Sequence, residues 1–196
     1  MGKERLIAFF DAVLAIIMTI LVLELDRPDE LSIEGFLALR HSFLAYALSF
    51  FWLGSVWLAM NTIWGNVHKI SRTVIWWCLI FLFFASFIPY ATGLVSDNFD
   101  NVVAQAFYGI IMIATTVCNL MIHKVLDDPD PGNRELLEAT GQYRRVLIPD
   151  IIIKVTALIL ALCVHPQIMF YGVLLAATYM QTTKAILFRR NGTLRF

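Results

Sequence analysis

Charge is scarce in this chain of 196 residues. Aspartate, glutamate, lysine and arginine together make up 15% of it, against about 25% in a typical soluble domain. Hydrophobic residues make up 59%, and the mean hydropathy is +0.73. This composition argues against an ordinary soluble protein and indicates one that lies in a lipid bilayer. The formal net charge is zero, so the composition predicts no nucleic-acid partner.

Cysteine is scarce too. Cys78, Cys118 and Cys163 lie in apolar runs, at spacings that match neither a metal site nor a disulfide framework. The sequence also lacks a catalytic nucleophile with a base and a phosphate-binding loop. These absences count against an enzyme and predict no cofactor. The amino-terminal apolar run has no small-residue cleavage site, so we do not expect a cleaved signal peptide.

Long apolar runs are what the chain has instead. A helix needs about 20 residues to cross the hydrocarbon core. Runs of this length are predicted at residues 6–25, 42–67, 73–96, 101–122, 146–164 and 167–187. We therefore predict an all-α integral membrane six-helix bundle, with residues 1–196 as a single domain. A short surface helix is expected within residues 133–143.

Lysine and arginine are distributed unequally between the two sides of these spans. Twelve of them lie in the termini and the connections that share one side: Lys3, Arg5, Lys69, Arg72, Lys124, Arg134, Arg144, Arg145, Lys184, Arg189, Arg190 and Arg195. The opposite side has only Arg27 and Arg40. Because cytoplasmic loops carry the excess of basic residues, we expect both termini to be cytoplasmic.

The opposite side is acidic. Its seven carboxylates are Glu24, Asp26, Asp29, Glu30, Glu34, Asp97 and Asp100. They have two interpretations. A negative mouth concentrates cations, or the acids are simply what remains where basic residues are excluded.

The first run, residues 5–25, contains no glycine but does contain Asp11. A charge facing lipid costs about 2.5–3.5 kcal/mol on insertion scales. We therefore expect Asp11 to face protein or water, with Arg5 as a candidate partner. In one interpretation the run is a packed core helix with Asp11 paired internally. In the other, it borders an aqueous path.

One face of this run is marked by branched side chains. Ile16, Ile20 and Leu23 are spaced at i, i+4 and i+7 and share a helix face, with Thr19 beside them. Further positions accompany them in a fixed order, at Arg5, Phe9, Asp11 and Ala15. Arg5, Phe9 and Asp11, followed by Ala15-Ile16 and Thr19, resemble the signature that opens the first helix of the transmembrane protein 175 family, the endosomal and lysosomal potassium channels and their bacterial relatives.

The family signature reads Arg-x-x-x-Phe-Ser-Asp, then an Ala-Ile pair and a threonine. Phe10 stands where the family usually has serine. The resemblance extends more weakly into the second and third runs, at Tyr46, Ser49, Phe50, Trp57 and Phe87-Ile88-Pro89.

The resemblance implies a potassium-preferring cation channel that lacks a carbonyl filter, and no Thr-Val-Gly-Tyr-Gly segment occurs here. It implies a homotetramer in a bacterial plasma membrane, with the first helix of each subunit lining a central pore. On this chain it implies a constriction at Ile16, with Ile20 and Leu23 further out, and a selectivity ring at Thr19. It also implies that Arg5, Phe9 and Asp11 form a helix-packing motif. Permeating potassium is the ligand it implies.

A small proton-coupled secondary transporter is the alternative function. Asp11, or the pair Asp150 and Lys154, would then carry protons. The pair is spaced at i and i+4 with the acid first, which favours a helical ion pair. Its other interpretation is a self-neutralising pair near the cytoplasmic interface, where Lys154 would reach towards water. Such transporters typically have glycine-interrupted helices at matching places in two halves, and the first run has no glycine.

The distribution of basic residues leads to a test of topology. Reporter fusions at residue 196 should report a cytoplasmic location. Fusions after Asp26, Asp97 and His165 should report the opposite side. A carboxyl terminus on the non-cytoplasmic side would contradict the six-span arrangement.

Overall fold

The computed structural model describes residues 2–190, and the backbone alone for residues 185–190. Met1 and residues 191–196 of the predicted single domain lie outside it, and so does Arg195 of the predicted basic terminus. The side chains of Arg189 and Arg190 are likewise outside the described part.

Within residues 2–190 the secondary structure is entirely helical. A 3₁₀ turn, Leu21–Glu24, follows α1. The helices are α1 (Lys3–Ile20), α2 (Ile33–Ala38), α3 (Arg40–Asn66), α4 (Arg72–Ala85), α5 (Ile88–Asp97), α6 (Val102–Val125), α7 (Arg134–Cys163) and α8 (Ile168–Arg190). The prediction of an all-α protein is confirmed.

Five helical segments are long and apolar enough to cross a membrane. They are Lys3–Glu24, Arg40–Asn66, Arg72–Asp97, Val102–Val125 and Arg134–Cys163, which match the first five predicted runs. The sixth predicted run, residues 167–187, falls on α8, and its crossing of the membrane stays a prediction. We call the end of the bundle where α1 begins the amino-terminal face; α3 and α6 end there, and α7 begins there.

The third run was predicted as a single span, but in the structure it consists of two helices. The helix ends at Ala85 and restarts at Ile88, with Pro89 in the first turn of α5. Proline has no N–H to donate, and its ring collides with the carbonyl four residues earlier, so the helix is interrupted just before it. The Ser86 hydroxyl donates to the Phe83 carbonyl at 2.7 Å, which satisfies a backbone oxygen at the break.

The fifth run is longer than predicted. The expected surface helix and the span after it form one continuous helix, Arg134–Cys163, which passes through Pro149. Its first turn is capped by Asn133, whose side-chain oxygen accepts from the Leu136 N–H at 3.1 Å. Thirty helical residues measure about 45 Å, which exceeds the roughly 30 Å hydrocarbon core. We therefore expect the charged first turns of α7 to extend beyond the membrane.

Two further features were not expected from the sequence, one in a connection and one in the core. The acidic connection at residues 26–41 contains the short helix α2, whose amino end is capped by Ser32 accepting from the Gly35 N–H at 3.0 Å. A polar cluster joins α3, α5 and α6 in the core. The Ser49 hydroxyl lies 2.8 Å from that of Thr92 and 3.4 Å from that of Tyr108. Such contacts hold membrane helices together where apolar packing does not distinguish protein from lipid.

The hairpin of α7 and α8 depends on close approach at a glycine. Gly172 is buried, and a Cβ atom there would lie far inside van der Waals contact with the Ala157 methyl group. Small residues that let two helix backbones approach are typical of packing in membranes.

Gly172→Ala should therefore destabilise the protein by about 1–3 kcal/mol through overpacking. Gly65→Ala is the matched control, because nothing lies within 4 Å of a Cβ atom at that position in α3. We expect the control to be neutral or to stabilise by up to about 1 kcal/mol. Thermal unfolding in detergent compares the two. Equal effects would contradict the close packing of α7 and α8.

Candidate functional site

The first helix has one face that the subunit covers and one that it leaves bare. Its covered face consists of Leu6, Phe10, Leu14, Ile17 and Leu21, all nearly inaccessible. Phe10 stacks on Phe81 of α4 with ring centroids 5.3 Å apart. This face fixes α1 against α3, α4 and α5.

The bare face carries the residues singled out in the sequence. Ile16, Ile20 and Leu23 are 57%, 39% and 77% exposed. Leu23 belongs to the 3₁₀ turn, in which side chains at i and i+3 eclipse one another. It therefore stays in line with Ile20. The three side chains form an apolar row about 10 Å long.

Thr19 lies beside this row and is also exposed. Its hydroxyl donates to the Ile16 carbonyl at 2.8 Å. Because the proton is used within the helix, the oxygen's remaining lone-pair capacity faces outward from the bare face. A threonine oxygen in this state is an acceptor, which suits a cation.

Asp11 has a partner that the sequence analysis did not identify. The indole N–H of Trp57, on α3, donates to its carboxylate at 3.1 Å. The expected partner, Arg5, is exposed and makes no ion pair with Asp11 in the described part of the chain. The pairing links residues 46 positions apart, so sequence spacing gave no signal for it.

The other members of the predicted packing motif point elsewhere. Arg5 and Phe9 are exposed. Relative to Ile16 they are spaced at 11 and 7 residues, which places them on the same bare face. Of the three, Asp11 alone makes a side-chain hydrogen bond to another helix in the described part of the chain.

Acidic side chains gather where the 3₁₀ turn ends. The Glu24 carboxylate packs against Gly93 of α5. The neighbouring carboxylate of Asp97 raises the pKa of Asp26, and a loss of hydration and a hydrogen bond between the two carboxyl groups act in the same direction. Asp26 therefore takes up a proton at a higher pH than an ordinary aspartate.

The predicted ion pair in α7 is present but is placed differently from expectation. The Lys154 ammonium donates to Asp150 Oδ2 at 2.6 Å, and both side chains are fully buried. Lys154 does not reach towards water. It also donates to the Thr116 hydroxyl at 2.8 Å and lies 4.9 Å from the centre of the Trp52 ring. Groups from α3 and α6 thus compensate for its burial.

Known proteins resemble this chain in sequence. A family model described as the endosomal/lysosomal potassium channel TMEM175 matches residues 5–89. A potassium channel of Chryseobacterium sp. (strain P1-3) is 34% identical over 139 residues, which are 71% of this chain and 72% of that protein. A potassium channel of Chamaesiphon minutus is 29% identical over 155 residues, covering 71% and 76%.

A solved structure shares the fold. It is the crystal structure of a lysosomal potassium-selective channel TMEM175 homolog from Chamaesiphon minutus. The superposition covers 92% of this chain and 97% of the chain in that structure, with a TM-score of 0.70 and 23% sequence identity.

The fold and these relatives define a multi-span helical membrane protein of the channel class, and not an enzyme. The chain belongs to the TMEM175 family. The resemblance seen in its first helix is thereby confirmed.

The contact between Asp11 and Trp57 leads to a test. Trp57→Phe keeps the aromatic packing but removes the donor, so the folded state should lose on the order of 1.5–3 kcal/mol, as for a hydrogen bond to a charged group. Trp76→Phe is the control, because Trp76 is 65% exposed on α4. Thermal unfolding of both variants gives the comparison.

A double-mutant cycle with Asp11→Asn then isolates the pair. The double variant should be less destabilised than the sum of the two single variants. Strict additivity would show that the two side chains do not act together.

Proposed function

We propose that this chain is a subunit of a homotetrameric, potassium-preferring cation channel in which α1 lines the pore. Permeating potassium is its ligand, and it uses no cofactor. Four copies of α1 around an axis would place Ile16 at the narrowest point, with Ile20 and Leu23 further out. The names of its relatives as potassium channels support the permeant ion.

The bare face of α1 is the observation that carries this proposal. A helix that is buried along one side and exposes Ile16, Thr19 and Ile20 along the other needs a second surface to cover it. Lipid would cover the isoleucines at no cost. It would not serve the threonine oxygen, which has an unused acceptor beside the row.

The chemistry of the row suits a gate without a carbonyl filter. Rings of isoleucine form a constriction that conducts only when wetted. A cation that passes must shed part of its hydration shell, and potassium holds its water less tightly than sodium. A ring of Thr19 oxygens would replace some of the lost ligands and so favour potassium.

The acidic end of α1 would form the outer mouth. Glu24, Asp26 and Asp97 lie close together just beyond Leu23. A negative mouth raises the local concentration of cations. Because the pKa of Asp26 is raised, part of this charge is lost at a higher pH than for isolated aspartates, and the attraction for cations weakens as the pH falls.

We place the channel in a bacterial plasma membrane, with both termini cytoplasmic and lysine-rich and arginine-rich loops at the amino-terminal face. Arg5 and Phe9 lie on the bare face, where they would contact neighbouring subunits. The transporter alternative predicts glycine-interrupted helices in two matching halves. In residues 2–190, the interrupted span breaks at Ser86 and Phe87, before a proline.

Two substitutions test the proposed constriction separately. Ile16→Asn hydrates the ring, so potassium flux should rise several-fold and the preference over sodium should fall. Thr19→Val keeps the width but removes the oxygen, so selectivity should fall without a comparable rise in flux. Thr19→Ser keeps the hydroxyl and is the matched control, which should retain the preference. Flux assays in liposomes measure all three.

Loss of the oligomer is excluded by sizing each variant before reconstitution. If Ile16→Asn and Thr19→Val both assemble and conduct like the unmodified protein, α1 does not line the pathway and the proposed mechanism fails.

A further inference from the structure

An open groove lies at the amino-terminal face of the subunit, between the end of α3 and the start of α7. Its volume is about 990 Å³. Thr62 and Asn66 line it from α3, and Glu135, Glu138 and Gln142 line it from α7. In the described part of the chain, no residue of α1 lines it. The groove is therefore separate from the proposed ion pathway.

Two like charges lie side by side in this groove. Glu135 and Glu138 are both exposed and share a face of α7 at i and i+3, a spacing at which like charges destabilise a helix. Neither carboxylate forms an ion pair with another described residue. Arg134 and Arg145 flank them on α7 and form no ion pair with them either. The groove thus offers a place for a further cationic group between the two acids.

The end of α8 lies beside the groove. The Lys184 ammonium contacts both helices that line it, since it donates to the Ser55 carbonyl of α3 at 3.3 Å and lies 5.5 Å from the centre of the Tyr143 ring of α7. Tyr143 itself lines the groove. Towards the amino-terminal face, α8 continues for about 9 Å from Lys184 to Arg190, and α3 continues for about 10 Å from Ser55 to Thr62. The backbone of Arg190 is therefore level with the groove.

The sequence at and beyond the end of α8 complements this groove. Residues 188–196 read Phe-Arg-Arg-Asn-Gly-Thr-Leu-Arg-Phe, with three arginines and no acid. The Asn-Gly dipeptide favours a turn. Residues 191–196 can extend for about 20 Å, which is enough to reach every part of the groove from Arg190. Their apolar members, Leu194 and Phe196, match Leu137 and Ala139, which line the groove beside the acids.

We propose that residues 191–196 dock in this groove of the same subunit, with the Arg195 guanidinium between Glu135 and Glu138. The guanidinium donates to both carboxylates, as its planar arrangement of N–H groups allows, and removes the repulsion between them. The docked segment ties the end of α8 to α3 and α7. Because both glutamates are exposed, salt weakens the contact.

Disulfide cross-linking in the full chain tests the docking. Thr193→Cys places a thiol in the segment and Ala139→Cys places one in the groove, in a background where Cys163→Ser removes the exposed native thiol. Lys124→Cys is the control for the groove position. Lys124 is exposed in the last turn of α6, at the same face, and does not line the groove. Sizing each variant in lipid nanodiscs establishes that it is assembled before oxidation.

At low salt, we expect the thiol at 193 to cross-link to the one at 139 at least about five times faster than to the one at 124, because docking raises the effective concentration of the segment at the groove. Glu135→Gln together with Glu138→Gln should slow the reaction at 139 several-fold. Salt at about 1 M, where the screening length falls to about 3 Å, should do the same. Asp128→Asn is the charge control, because Asp128 is an exposed acid at the same face outside the groove. It should leave the rate unchanged.

Gel mobility after oxidation identifies the groove that is occupied. A disulfide within a subunit keeps the mass of one chain, whereas a disulfide between subunits doubles it. Equal rates at 139 and 124, no effect of the two glutamine substitutions, or a predominant product of doubled mass would overturn the proposal. Ion flux plays no part in this measurement, so failure of the proposed channel function would leave its result unchanged.

Discussion

The bare face of α1 is the constraint on which the account depends. A helix buried along one side and exposed along the other is incomplete within a single subunit. Hydrophobicity does not decide what completes it, since lipid tails and isoleucine side chains are equally apolar. The polar atoms decide. The exposed acceptor of Thr19 beside the apolar row favours a neighbour that brings cations or water over one that brings only lipid.

The rest of the subunit positions that face. Apolar packing of Phe10 and its neighbours fixes the rotation of α1, and the bond from Trp57 to Asp11 fixes α1 against α3. The 3₁₀ turn keeps Leu23 in line with Ile20 and leads into the acidic side chains of Glu24 and Asp26. The pair of Asp150 and Lys154 is buried inside the bundle, where Thr116 and Trp52 contact the Lys154 ammonium.

Local sequence features predicted most of the architecture, because apolar run length and helix periodicity are local properties. They predicted the all-helical fold, long apolar helical segments at the first five runs, and the bond between Asp150 and Lys154. They did not predict the break before Pro89 or the continuous α7, since a proline ends one helix and is accommodated within another according to its tertiary surroundings. Trp57 as the partner of Asp11 was out of reach, because the contact joins two spans. The roles of Ile16 and Thr19 stay predictions.

The central claim is that the bare face lines the ion pathway. Thiol modification of a cysteine substituted for Ile20 tests this most directly. Cys78 and Cys118 are buried, so a Cys163→Ser background removes the exposed native thiol. In liposomes, a water-soluble thiol reagent should block potassium flux through Ile20→Cys. It should leave flux through Ile159→Cys unchanged, because Ile159 lies on the exposed side of α7. Complete labelling of Ile20→Cys with undiminished potassium flux would contradict the account.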